Sequence, residues 1–187
     1  HFAKGEVKSA KLALATAVDL QPTLIKARLL LAEVYLRTRD IELAKKETQE
    51  ILKRQPANYQ AKLTLGNAYM AEKEFMLAQN TFETMIEMAP DIPVGYSRLG
   101  LLQYFLGKYE QALKNFEKAL AINPKLMDVF ANAVRVVERA QERLGDITDE
   151  YRGEAGGRAG QRQDRGDFQD PGEAAEDAVA AAAAKFK

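Results

Sequence analysis

The chain has 187 residues, 47% of them apolar and 29% charged, with basic and acidic side chains in equal number and no cysteine. Zero net charge supplies no long-range field toward nucleic acid or an anionic membrane surface, and without cysteine a disulfide framework and a thiolate metal site are both excluded. No apolar run approaches the roughly 18 residues that a membrane span needs.

Taken from the N-terminus, the chain restates one pattern. Residues 5–24 carry Val7, Ala10 and Val18 and close at Pro22. Residues 25–58 carry Leu31, Ile41, Ala44 and Leu52 and close on Pro56. Residues 59–92 carry Leu65, Phe75, Ala78, Ile86 and Pro90, and residues 93–126 carry Leu99, Tyr109, Ala112, Leu120 and Pro124. Corresponding positions stand 34 residues apart. Proline is about 5% of average sequence, so three further prolines would fall in register by chance about once in ten thousand trials.

Within one period the spacing predicts two helices. Ile92, Tyr96, Leu99, Leu102 and Leu106 recur at three- and four-residue steps, which is one helix face. Gly107 breaks the run. Tyr109, Ala112, Leu113, Phe116, Ala119 and Leu120 form a second face, and Asn123-Pro124 stops it because the residue before proline disfavours the helical region. A single helix pair cannot cover both its apolar faces, so such pairs stack in rows. The small columns (Ala32, Gly66 and Gly100 beside the leucines, and Ala10, Ala44, Ala78 and Ala112 in the partner helix) are expected to let helix axes approach closely.

The segment Gly107-Lys-Tyr-Glu-Gln-Ala-Leu-Lys-Asn-Phe-Glu-Lys-Ala-Leu-Ala-Ile-Asn-Pro124 resembles the second helix of a tetratricopeptide repeat (TPR), and Leu65-Gly66, Tyr69, Phe75, Ala78, Phe82 and Pro90 resemble a whole unit. The resemblance implies an all-α fold, an α-solenoid of about eight antiparallel helices. It divides residues 1–144 into a half repeat at 5–24, full repeats at 25–58, 59–92 and 93–126, and a lone first helix at 127–144. Two positions depart from the family pattern: Gln103 stands in the tyrosine column, and Arg28 and Lys62 occupy the site where Tyr96 supplies the aromatic near the start of a unit. The chain starts at His1, halfway through a unit, which predicts a piece of a longer array. No targeting signal is read in it, leaving cytoplasm and periplasm both open. The unpaired first helix is a possible surface for self-association. From Gly145 to Lys187 the composition shifts to glycine with six basic and ten acidic residues, and this stretch is expected to be disordered.

Catalytic chemistry finds no support. The one histidine is His1, so no internal histidine or cysteine can serve as base or thiol nucleophile. No glycine-rich phosphate loop is flanked by strand and helix. Glu42, Glu47, Glu50, Glu83 and Glu87 read as solvated helix faces, and Met70, Met76, Met85 and Met88 as core filler rather than metal ligands. The chain is expected to be no enzyme and to need no cofactor or metal.

In this family the first helices of the units line a concave groove. Position by position, the resemblance places Lys26, Leu29, Glu33, Leu36 and Gln60 there, followed by Leu63, Asn67 and Met70. The third unit adds Val94, Ser97, Leu101, Tyr104 and Phe105, and the last helix adds Asp128, Ala131, Arg135 and Glu138. Leu63, Asn67, Met70, Ser97, Leu101, Tyr104, Phe105 and Arg135 form the expected partner-binding set. Clustered exposed apolar residues of this kind mark interaction sites. Some family members clamp a partner's C-terminal carboxylate with two lysines, two asparagines and an arginine. Here only Asn67 and Arg98 fit that scheme, since Leu29, Leu63 and Ser97 stand where lysine is wanted, so no such clamp is expected. The expected function is a protein–protein interaction scaffold holding a peptide or protein segment. The alternative is an adaptor region of a larger enzyme or of a bacterial secretion or envelope-assembly protein. RNA binding is opposed by the acidic Glu33, Asp128 and Glu138.

Overall fold

The computed structural model describes residues 4–158, with side-chain surroundings described for residues 6–146. Every regular element among them is an α-helix: α1 (Lys4–Leu20), α2 (Ile25–Arg37), α3 (Ile41–Arg54), α4 (Tyr59–Ala71), α5 (Phe75–Met88), α6 (Pro93–Phe105), α7 (Tyr109–Ile122) and α8 (Met127–Arg158). The helices begin just after the prolines and just after the predicted breaks, as the 34-residue period requires. Asn58 caps α4, its side-chain oxygen accepting from the Ala61 N–H at 2.9 Å.

The first helices of the three full repeats, α2, α4 and α6, end in the same way. Arg39, Lys73 and Gly107 adopt φ of 66°, 63° and 70°, and the next amide reaches back to the helix. The N–H of Asp40 donates to the Tyr35 carbonyl at 2.9 Å, that of Glu74 to Tyr69 at 2.9 Å, and that of Lys108 to Gln103 at 2.9 Å. This is the left-handed termination that satisfies the last carbonyls of a helix and turns the chain back.

The residues fall into two compact units, one up to Leu102 and the other from Gln103. In the first, Val18, Ala27, Leu31, Tyr35 and Ala44 form one buried cluster, and Ala78, Phe82, Met85, Leu99 and Leu102 form another. In the second, Ala112, Phe116 and Ala119 of α7 and Val129, Ala133, Val136 and Val137 of α8 are buried. The alanine column is fully buried at Ala44, Ala78 and Ala112. Ala10, in contrast, is exposed, because α1 has no first helix of its own unit against it among the described residues. The small-residue column also has its expected cause: a Cβ built on Gly66 would lie 2.4 Å from Cε1 of Phe82.

In the second helices Ile51, Met85 and Ala119 are fully buried, and the next residues, Leu52, Ile86 and Leu120, are half-buried, while Val18 at the same position of α1 is buried. Two expectations need correction. Of the four methionines, Met85 is core filler, whereas Met76 is 71% exposed and Met88 also reaches solvent. The last helix does not end at Leu144 but runs to Arg158. The helix contains Gly145, Gly153, Gly156 and Gly157, each costing about 1 kcal/mol, but no proline stands between Pro124 and Pro171 to force a stop. The expected disorder of residues 159–187 lies outside the described residues.

Candidate functional site

Of the first helices, α2, α4 and α6 up to Leu102 belong to the first unit, and the end of α6 with α8 belongs to the second. In the first unit α2 and α4 lie side by side, and the Gln60 amide donates to the Glu33 carboxylate at 2.9 Å, so these two expected groove residues share one surface. Leu63, Asn67 and Met70 on α4 are half-buried, as are Ser97 and Leu101 on α6. Leu63 and Met70, with Val94, also pack against the Phe82–Leu102 cluster, so part of their apolar surface belongs to the core. The Ser97 hydroxyl donates to the Val94 carbonyl of its own helix at 3.0 Å.

In the second unit the end of α6 presents Tyr104, half-buried, and Phe105, 64% exposed. Their rings lie 5.9 Å apart, and Tyr104 also meets Tyr109 at 6.0 Å. Tyr104, Arg135, Glu138, Arg139 and Glu142 line a polar cavity of about 250 Å³. Tyr104 bonds to Arg139 and, with Glu142 at 2.7 Å, holds the guanidinium pKa above its ordinary value. Arg135 is exposed and meets the Asn132 side-chain oxygen at 3.4 Å. Arg139 and Glu142 were not among the expected groove residues. Their spacing of four and seven residues from Arg135 places them on its helix face, and that was the available signal.

Several charged side chains have structural work. Arg28 stands where an aromatic is usual and instead pairs with Glu47, also donating to the Pro22 carbonyl at 2.9 Å. Both partners are largely shielded, so Glu47 is not the solvated face residue expected. Lys11 lies over the Tyr35 ring at 4.9 Å and pairs with Asp40. One period later Lys45 lies over Tyr69 at 6.0 Å and pairs with Glu72 and, at 2.8 Å, with Glu42. The same device therefore ties a second helix to the following first helix twice. Where the tyrosine becomes Gln103, the Asn115 amide donates to it at 2.8 Å. Among the described residues no three of His, Cys, Asp and Glu converge so as to hold a metal ion, and no helix is long and apolar enough to cross a membrane.

Comparison with known proteins places these features. Two Tetratricopeptide repeat family models match, over residues 29–91 and 93–126. Hsp70-Hsp90 organizing protein 3 of Arabidopsis thaliana is 33% identical over 69 residues, which is 36% of this chain and 12% of that protein. The Hsp70-Hsp90 organizing protein of Triticum aestivum is 32% identical over 69 residues, with the same coverage. The chain thus spans 12% of the length of these relatives. Among solved structures, a thermophilic TPR protein of Thermus thermophilus aligns with TM-score 0.65 at 17% identity, covering 96% of this chain and 92% of that one. MamA aligns with TM-score 0.62 at 20% identity, covering 72% and 79%. The first TPR of Spaghetti, bound to the HSP90 peptide SRMEEVD, aligns with TM-score 0.57 at 18% identity, covering 62% and 91%. These structural likenesses show the fold, a helix-pair repeat of the α-solenoid class.

Proposed function

The chain belongs to the tetratricopeptide repeat family, and from that premise we propose that it is a non-catalytic scaffold whose first-helix face holds a peptide or protein segment with apolar side chains. The observation that carries this reading is Phe105, 64% exposed at the end of a first helix with Tyr104 beside it. A large aromatic left in water on the face that this family uses for partners is a binding anchor. Leu101 continues the apolar character along α6, and Leu63 and Met70 supply it on α4. Asn67, Ser97 and Arg135 offer the few polar groups that fix register and direction.

This surface differs in chemistry from one that clamps an acidic C-terminus. Leu29, Leu63 and Ser97 provide no cation, so an HSP90 peptide such as SRMEEVD is not its ligand under this reading. Panning the full chain against a random peptide library tests it. Selected sequences should be rich in aromatic and aliphatic residues. Their affinity should fall at least tenfold, about 1.4 kcal/mol, on Leu101→Ala or Tyr104→Ala with helicity unchanged. Unchanged affinity in both variants, or SRMEEVD binding as tightly as the selected peptides, would remove the proposal.

Self-association through α1 is a second reading, favoured by one observation. Ala10 is exposed, and with Val7 and Val34 it lines an apolar cavity of about 200 Å³, whereas its counterparts Ala44, Ala78 and Ala112 are fully buried.

A further inference from the structure

Four charged side chains on α8, Arg135, Glu138, Arg139 and Glu142, stand at positions i, i+3, i+4 and i+7 and therefore share one face. All four are exposed, and they border the same cavity beside Tyr104. Their signs run plus, minus, plus, minus. Turning the helix end for end about a point between Glu138 and Arg139 sets Arg135 opposite Glu142 and Glu138 opposite Arg139. The face is thus the electrostatic complement of itself in the antiparallel sense. A two-fold interface requires this property, since each residue must meet its counterpart from the other copy.

We propose that α8 pairs antiparallel with α8 of a second copy of this chain, about a two-fold axis passing between Glu138 and Arg139, through reciprocal Arg135–Glu142 and Glu138–Arg139 contacts. Inside one chain Arg135 and Glu138 are left available, whereas Arg139 and Glu142 pair with each other across an exposed contact that the second copy must exchange or share. Arg139 is held by Glu142 at 2.7 Å, but Arg135 has only the long contact of 3.4 Å to Asn132, and among the described residues Glu138 has no ion-pair partner. At the two ends of the stretch the exposed residues are small, Ala131 and Gly145, and a Cβ added to Gly145 would meet nothing within 4 Å, so nothing there obstructs a second helix, and the four long side chains between them set the spacing. The interface is polar and solvent-bordered, so it is weak and sensitive to salt. It does not rest on the peptide-groove reading. Arg135 belongs to both surfaces, and a segment bound there competes with the second copy.

Sedimentation velocity on the full chain at low ionic strength tests the pairing. The wild type should form a dimer that dissociates when salt rises to about 0.5 M, where the screening length shrinks to a few ångströms. Arg135→Glu and Glu142→Arg should each raise the dimer dissociation constant at least tenfold with unchanged helicity by circular dichroism. An equal mixture of the two variants should form a heterodimer, because each then presents the charges that the other needs. The double variant Arg135→Glu/Glu142→Arg should recover the homodimer. A wild type monomeric at every concentration, single variants that dimerise like the wild type (an interface elsewhere, α1 included), or a double variant and mixture that stay monomeric would each overturn the proposal.

Discussion

Arg39, Lys73 and Gly107 occupy one position of the repeat and share one backbone conformation, with φ between 63° and 70°. For a residue with a Cβ this left-handed region costs roughly 1–2 kcal/mol, whereas glycine enters it freely. Arg39→Gly and Lys73→Gly should therefore each raise the unfolding free energy by about 1 kcal/mol, and Gly107→Ala should lower it by a similar amount, as read by urea denaturation. Gly107 was legible as a helix breaker because of its residue type. Arg39 and Lys73 were not, since nothing in an arginine or lysine announces a positive φ; only their place 34 and 68 residues from the same turn does so. Gly66 poses the opposite problem. Its conformation is ordinary, but the ring of Phe82 fills the space where a Cβ would sit. Gly66→Ala should lose about 1–3 kcal/mol through overpacking, visible as a lower thermal midpoint, and the combination with Phe82→Leu should recover part of that loss.

Between elements, ion pairs at the turns do what hydrophobic contact does elsewhere. The Lys11 ammonium and then the Thr38 hydroxyl hold the Asp40 carboxyl below its ordinary 3.8. Lys45 holds Glu42 below its ordinary 4.5, while Glu42 and Glu72 raise the Lys45 pKa. A carboxylate depressed in the folded state adds stability above its unfolded pKa and loses it as pH falls through the folded value. The raised lysine adds stability below its ordinary 10.5 and loses it only as pH climbs through its higher folded value. Thermal stability should therefore be level through neutral pH and fall below about pH 4. Lys11→Met and Lys45→Met should flatten that acid limb, and an unchanged limb in a pH series of melting curves would show that these pairs are not its cause. These links were hidden in the sequence because each member is a common surface residue. The register alone held the signal: Lys11 and Lys45, and Asp40 and Glu74, each stand one period apart. The length of α8 is hidden in the sequence for a related reason. Gly145 and the loss of apolar spacing point to an end, but a helix already anchored by Val129, Ala133, Val136 and Val137 adds one backbone hydrogen bond per further residue, and no proline interrupts it even though Gly145, Gly153, Gly156 and Gly157 lie within it.

Over the whole molecule, the sequence by itself determined the repeat. The 34-residue recurrence of proline, alanine and leucine determined the helix-pair pattern and the burial of Leu31, Leu65 and Leu99, though not the end of the last helix. Those properties depend on local rules, helix periodicity and helix stops, which act on neighbours along the chain. Tertiary structure decided what lies on the surface. Leu63, Met70 and Phe105 read alike as apolar groove residues, yet Leu63 and Met70 are drawn partly into the Phe82 cluster and Phe105 stands in solvent. In the same way Arg28 and Arg135 are both arginines on first helices, but Arg28 finds Glu47 from the partner helix and Arg135 finds no carboxylate among the described residues. Which of two similar side chains is free to meet a partner depends on what residues distant in sequence bring against it, and periodicity carries no record of that.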